Sequence, residues 1–257
     1  MAYPIALIGL TVVLVCGALP VIGLQGHGLP VDPNALPWRA VGKLQATSES
    51  LRVSCTGTLV APAVVLTAAH CLYNPRTQRF FAPSDLHFLI GYDHGVFVGH
   101  AIGTRVIIDA SFEATRPTLS PGSDWALVTL DRALGLPDRI LAIGDHMPEP
   151  GMSVSLGGFR QDRAYVITAD TACRVTDSVS DRDGRRVLRH DCAATHGDSG
   201  APLLVLEAGQ WFVAGVEVAE AKDESGGIAA AAIHARERLG INSSEGAMPF
   251  KYWTAPP

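Results

Sequence analysis

Apolar residues along this chain come in short runs set off by Gly, Pro, Asp and Asn. Recurrence at every third or fourth position, which would build one face of a helix, is scarce. From Trp38 onward the texture therefore predicts an all-β protein. The runs Ala40–Leu44, Thr56–Val60, Val64–Thr67, Leu86–Ile90, Gly95–His100, Arg105–Ile108 and Trp125–Leu130 read as a first set of strands, with Pro62 turning the chain between the second and third. Residues 131–150 carry Pro137, Pro148 and Pro150, break the rhythm and read as a link between two halves. Beyond them Ser153–Leu156, Ala164–Thr168, Ala172–Val175, Val187–His190, Pro202–Leu206, Trp211–Val218 and Ile228–Ile233 form a second set. Asp181-Arg182-Asp183-Gly184 and Ala208-Gly209-Gln210 have the composition of hairpin turns. Ala235 to Leu239 reads as a short terminal helix.

The start of the chain has a different pattern. The first 24 residues contain no charged side chain, and Ile5 to Gly17 is apolar throughout except for Thr11. This predicts a secretory signal over residues 1–24, with cleavage after Ala18 as one site. The competing reading is an uncleaved anchor, since Ile5 to Leu24 is about long enough to cross a bilayer, although Pro20 and three glycines weaken a helix there. Export would bring the chain to an oxidising compartment, secreted or periplasmic, or leave it membrane-anchored if the leader stays.

At 257 residues, 47% of them hydrophobic, the chain can bury one large core or two smaller ones. Its net charge of -5 is spread without a basic stripe, so nucleic acid is not an expected partner. Five cysteines become four once Cys16 leaves with the leader, and four allow three pairings. Cys55 with Cys71 and Cys173 with Cys192 closes two short loops, each stabilising by about 3 kcal/mol through loss of chain entropy. Asn242-Ser243-Ser244 matches a glycosylation acceptor, a motif common by chance.

Candidate chemistry centres on His196-Gly197-Asp198-Ser199-Gly200-Ala201-Pro202. A serine between glycines, leading into an apolar run, has the build of a hydroxyl presented on a tight turn. A serine attacks carbonyls only when a base takes its proton and an acid orients that base. Leu66-Thr67-Ala68-Ala69-His70-Cys71 supplies the histidine. His87, His94 and His100 lie close enough in sequence to suggest a metal site, yet match no firm ligand spacing, and solvated or packed histidines are the favoured reading.

Thr-Ala-Ala-His-Cys followed by Gly-Asp-Ser-Gly, in that order, resembles the trypsin/chymotrypsin-like serine peptidases, and the leader and the Asp191-Cys192 approach to the serine look like bacterial exported members. The resemblance covers about residues 36–235. It implies two packed six-stranded Greek-key β-barrels over 36–132 and 146–235, a cleft between them holding the active site, and a tail over 236–257. It implies His70 as base, Ser199 as nucleophile and the backbone amides of Gly197 and Ser199 as an oxyanion hole. Asp124, which opens Asp-Trp-Ala-Leu-Val-Thr-Leu as an aspartate opens the corresponding family segment, is the expected acid; Asp109 is the runner-up, with a turn role as its alternative. Ala193 falls at the floor of the primary specificity pocket, where a trypsin-type aspartate is missing. Glu217 falls on the strand expected to wall that pocket and could attract Lys or Arg, the rival reading being a carboxylate turned to solvent or paired with an arginine.

The implied activity is serine endopeptidase on protein or peptide substrates through an acyl-enzyme, with no metal or organic cofactor. The alternative is a catalytically idle homologue that binds a partner. Membrane contact is expected only through an uncleaved leader, and oligomeric state is left open. No Lys or Arg precedes Arg39, so tryptic activation is not available. Asp198 is expected to pair with an amine freed by loss of the leader or with some other group.

Overall fold

A computed structural model describes residues 28–49, 51–221 and 226–240. The leader with Ala18 and Cys16, and the Asn242 motif, lie outside the described residues. Twelve strands carry the fold. The first six are β1 (Val41–Thr47), β2 (Arg52–Ala61), β3 (Val64–Thr67), β4 (Leu86–Ile90), β5 (Gly99–Ile108) and β6 (Ala126–Leu130). They close an antiparallel barrel in the order β1-β2-β3-β6-β5-β4. The second six are β7 (Ser153–Gly158), β8 (Thr168–Ser180), β9 (Arg186–His190), β10 (Pro202–Glu207), β11 (Gln210–Glu220) and β12 (Gly227–Ala231). These close a second barrel in the order β7-β8-β9-β12-β11-β10, the same order as the first. Closure leaves neither barrel with a bare edge. Helix α1 (Ile233–Arg238) is the one α-helix among the described residues.

The all-β expectation and the two six-stranded barrels hold. Most predicted strands are present, usually longer than the apolar run that marked them, because strand pairing carries on through polar residues. Two differ. Gly95–His100 is not a strand over its first half: His94 and Gly95 adopt positive φ, the chain turns there, and Val96, Phe97 and Val98 stand exposed before β5 begins at Gly99. Ala164–Thr168 is mostly a connection, and β8 begins only at Thr168. In that connection Ile167 is buried while Tyr165 is 65% exposed, so a short apolar run here marks a turn that enters the core and not a strand.

Residues 131–150 do link the barrels, and on the way Ala142–Ile143 adds a short parallel strand to β11. One core cluster fills the first barrel and continues across the contact through Phe159, Ile167, Leu204, Val213 and Val216. A second, built on Leu156, Val175, Leu188, Leu203 and Ala229, fills the second barrel. Across the contact Leu141 N–H donates to Leu59 O at 3.0 Å, and Arg185 pairs with the buried Asp109 at 3.0 Å. Arg182 meets Glu113 on the same side. The barrels are thus packed and tied, with their shared face available for a site.

Candidate active site

His70 sits in a 3-10 turn, Ala69–Leu72, at the end of β3, and Cys71 in that turn is bonded to Cys55 of β2. The disulfide fixes the turn to the neighbouring strand. Asp124 follows another 3-10 turn, Pro121–Ser123, and leads into β6, the other neighbour of β3. Its carboxylate is buried and meets His70 twice: the backbone N–H of His70 donates to Oδ1 at 2.8 Å, and Oδ2 lies 2.7 Å from Nδ1 of the ring. Both carboxylate oxygens are therefore committed to one residue. That arrangement fixes the ring, whose Nε2 lies 3.9 Å from the Cys71 sulfur.

Burial by itself depresses the His70 pKa, but the charge of Asp124, its hydrogen bond and the charge of Glu217 together outweigh it and leave it above 6.5. Asp109, the runner-up acid, is elsewhere: it accepts from Ser111 N–H and pairs with Arg185.

Ser199 reaches this place through Thr56 of β2. Thr56 N–H donates to Ser199 O at 2.9 Å, and Thr56 Oγ1 donates to Gly197 O at 3.2 Å. Gly200 packs against Thr56 O, Thr67 Oγ1 and the backbone nitrogen of Ala68, two residues before His70. So the serine turn of the second barrel lies on the strand end that carries the histidine. Among the described residues the Ser199 side chain makes no hydrogen bond to His70. Ser199 and Gly197 are half-buried, and His196 is exposed with Nδ1 3.4 Å from Glu220.

Asp198 is buried, accepts from Thr195 N–H at 3.0 Å, and is pushed up to about 7 by burial. Ala193 is half-buried and donates its N–H to Asp170. Glu217 backs the serine turn, donating its N–H to Ala201 O and accepting from Gly200 N–H, each at 2.8 Å. Its side chain faces neither solvent nor an arginine: Oε2 lies 2.6 Å from His190 Nε2, and both side chains are sealed from solvent. Burial raises the Glu217 pKa, and His190 opposes the rise. His190 on β9 reaches Glu217 on β11 across Gly227 of β12, where any side chain would strike both.

The two predicted disulfides, Cys55 to Cys71 and Cys173 to Cys192, are both present. Cys55, Cys71 and His70 lie within 4.8 Å of one another, but both sulfurs are consumed in a disulfide and offer no thiolate to a metal. His87 and His100 stack with ring nitrogens 3.0 Å apart, while His94 pairs with Asp93. Sequence reasoning overlooked Thr56, His190 and Lys43; a lone lysine inside the apolar run of β1 was the one available signal.

A sequence profile of the trypsin family matches residues 26–236. The chain belongs to the trypsin family of serine peptidases. Human transmembrane protease serine 5 is 25% identical over 225 residues, covering 78% of this chain. The match takes in 47% of that protein, so the chain spans about half the length of this curated relative. Among solved structures, a Glu endopeptidase in complex with MPD is similar with a TM-score of 0.66 at 20% identity, covering 86% of this chain and 99% of that one. A thermostable serine protease, AL20, from an extremophilic microorganism is similar at 0.58 and 18% identity, covering 75% and 91%. These likenesses are of fold, the paired barrels of the chymotrypsin-like peptidases.

Proposed function

We propose that this chain is an exported serine endopeptidase that hydrolyses peptide bonds through an acyl-enzyme on Ser199. The observation that supports this most directly is the doubly bonded His70–Asp124 pair lying at the strand end against which the Ser199 turn is packed. Ser199 Oγ attacks the scissile carbonyl as its proton passes to His70 Nε2; Asp124 holds the ring in the tautomer with Nδ1–H and stabilises the imidazolium. Negative charge on the former carbonyl oxygen is met by the N–H groups of Gly197 and Ser199. Collapse breaks the C–N bond, and the amine leaves with the proton from His70. Water then attacks the ester, giving its proton to His70, and the acid departs as Ser199 regains it. Contact between Ser199 and His70 tightens once substrate fills the cleft, as catalytic hydrogen bonds commonly do.

Ala193 offers an uncharged floor to the substrate side chain before the scissile bond. Glu217, sealed from solvent with His190, presents no free carboxylate to that side chain. Two disulfides fit an oxidising compartment, and with the apolar leader they support export. No observation favours the idle homologue, since His70, Asp124 and Ser199 are all retained. Active-site titration with a p-nitrophenyl ester gives a burst of about one equivalent if an acyl-enzyme accumulates. Ser199→Ala abolishes it and lowers kcat on the order of a million-fold. Equal turnover by wild type and Ser199→Ala would refute the assignment.

A further inference from the structure

We propose that Lys43 is a positioning residue for the oxyanion hole, fixing the segment between β7 and β8 so that the Gly197 amide stays turned toward the reacting carbonyl. This rests on the reading of Gly197 and Ser199 N–H as the oxyanion donors.

Lysine is seldom fully buried without a partner, yet Lys43, in the middle of β1, is 4% exposed. Among the described residues no carboxylate pairs with it. Its ammonium donates to Ala164 O at 2.6 Å and lies 4.6 Å from the ring centroid of Tyr92 and 5.9 Å from those of Phe159 and Tyr165. A cation over aromatic faces is held electrostatically, most firmly where water is excluded. Three of those four partners, Phe159, Ala164 and Tyr165, belong to the segment that leaves β7. Lys43 therefore fastens that segment of the second barrel to the first.

The same segment grips the serine turn at its other end. Gly197 has φ +97°, and a Cβ there would lie 2.5 Å from Phe159 O and 2.6 Å from Gln161 N, so the two backbones are in direct contact. Phe159 N–H donates to Thr56 Oγ1 at 2.9 Å, and that hydroxyl in turn holds Gly197 O. Gln161 N–H donates to His196 O at 2.7 Å. His196 O and Gly197 N–H are the two ends of one planar trans peptide and point in opposite directions. Holding the oxygen on Gln161 thus aims the N–H the other way. If that peptide rotates, the Gln161 bond breaks and the donor is lost.

The test uses the full chain with Lys43→Met, Lys43→Arg and Gln161→Pro. Gln161 is the first residue of the 3-10 turn Gln161–Arg163, and Arg160 before it is extended at φ -59°, ψ 146°, so the backbone angles admit proline, whose Cδ replaces the N–H, presses on His196 O and drives that peptide off its bond. Each variant is assayed for kcat, KM, binding of a peptide boronate whose adduct mimics the tetrahedral intermediate, and thermal midpoint. Gln161→Pro is expected to lower kcat on the order of 100-fold, as loss of one oxyanion donor does. Lys43→Met lowers it by about tenfold or more, with KM within about twofold and boronate affinity falling in step with kcat/KM. Lys43→Arg recovers most of the rate, because it keeps a cation over the rings. If Lys43→Met fails to fold, Gln161→Pro and Lys43→Arg carry the test. Unchanged kcat in folded Lys43→Met or in Gln161→Pro overturns the proposal, as does a change confined to KM. A wild type without Ser199-dependent turnover removes the proposed function itself, and this inference falls with it.

Discussion

Asp124 holds His70 by ring and by backbone, so one carboxylate sets both the orientation and the place of the imidazole that the proposed mechanism uses as its base. The pH dependence follows from the same contacts. A base must be neutral to accept the serine proton, so kcat/KM rises with pH as His70 loses its proton, and the midpoint of that limb lies above the ordinary 6.5. Asp124→Asn removes the charge that raises it while burial, which lowers it, remains; the limb then moves to lower pH. The plateau rate falls about 10⁴-fold, because the amide leaves the ring in the wrong tautomer. A pH profile of both proteins checks this, and a limb that stays in place would mean that Asp124 does not face the working base. At this scale much was legible in advance. His70 and Ser199 each sit in a local run of residue types that the chemistry demands, and Cys71, bonded to Cys55, marks the turn that carries His70. Lys43 and Thr56 were not, because what gives them a role lies far along the chain: the partner of Lys43 is 121 residues away and that of Thr56 at Gly197 is 141.

Strands β9, β12 and β11 lie side by side, and the buried His190–Glu217 pair spans the middle one over Gly227. Such a pair contributes little net stability when intact, but removing one member strands the other. His190→Ala should therefore cost about 3–5 kcal/mol, and the cost grows with pH, because Glu217 without its partner must either hold a proton or bear an uncompensated buried charge. The sign with pH is fixed by the raised Glu217 pKa. The folded state holds the proton more tightly than the unfolded one, so the contribution is greatest below the unfolded value and is lost as pH rises through the folded one. The deficit of His190→Ala accordingly shrinks toward pH 5, and His190→Ala with Glu217→Gln recovers part of it. Denaturant melts at about pH 5 and pH 8 separate this from simple loss of packing, whose deficit would not change with pH. Strand positions were largely readable from apolar runs bounded by turn residues. The exceptions, residues 95–98 and 164–167, are an exposed turn and a partly exposed turn that carries only Ile167 into the core, which hydropathy alone does not distinguish from strand.

Two barrels with the same strand order divide the work. The first carries His70 in the turn after β3 and Asp124 just before β6; the second carries the serine turn ahead of β10. They meet at Thr56, which binds both Ser199 and Gly197, and at Lys43, which binds the segment packed on Gly197. The pairing of barrels, though not these ties, was implied by the order of the two motifs along the chain. Activation of Ser199 by His70 across the two barrels is read out by fluorophosphonate labelling of the purified, oxidised protein beside Ser199→Ala and His70→Ala, with the adduct located by mass spectrometry. The prediction is a single adduct on Ser199, absent from Ser199→Ala and strongly slowed in His70→Ala. A folded wild type that takes no label, or a His70→Ala variant labelled at the wild-type rate, would contradict it.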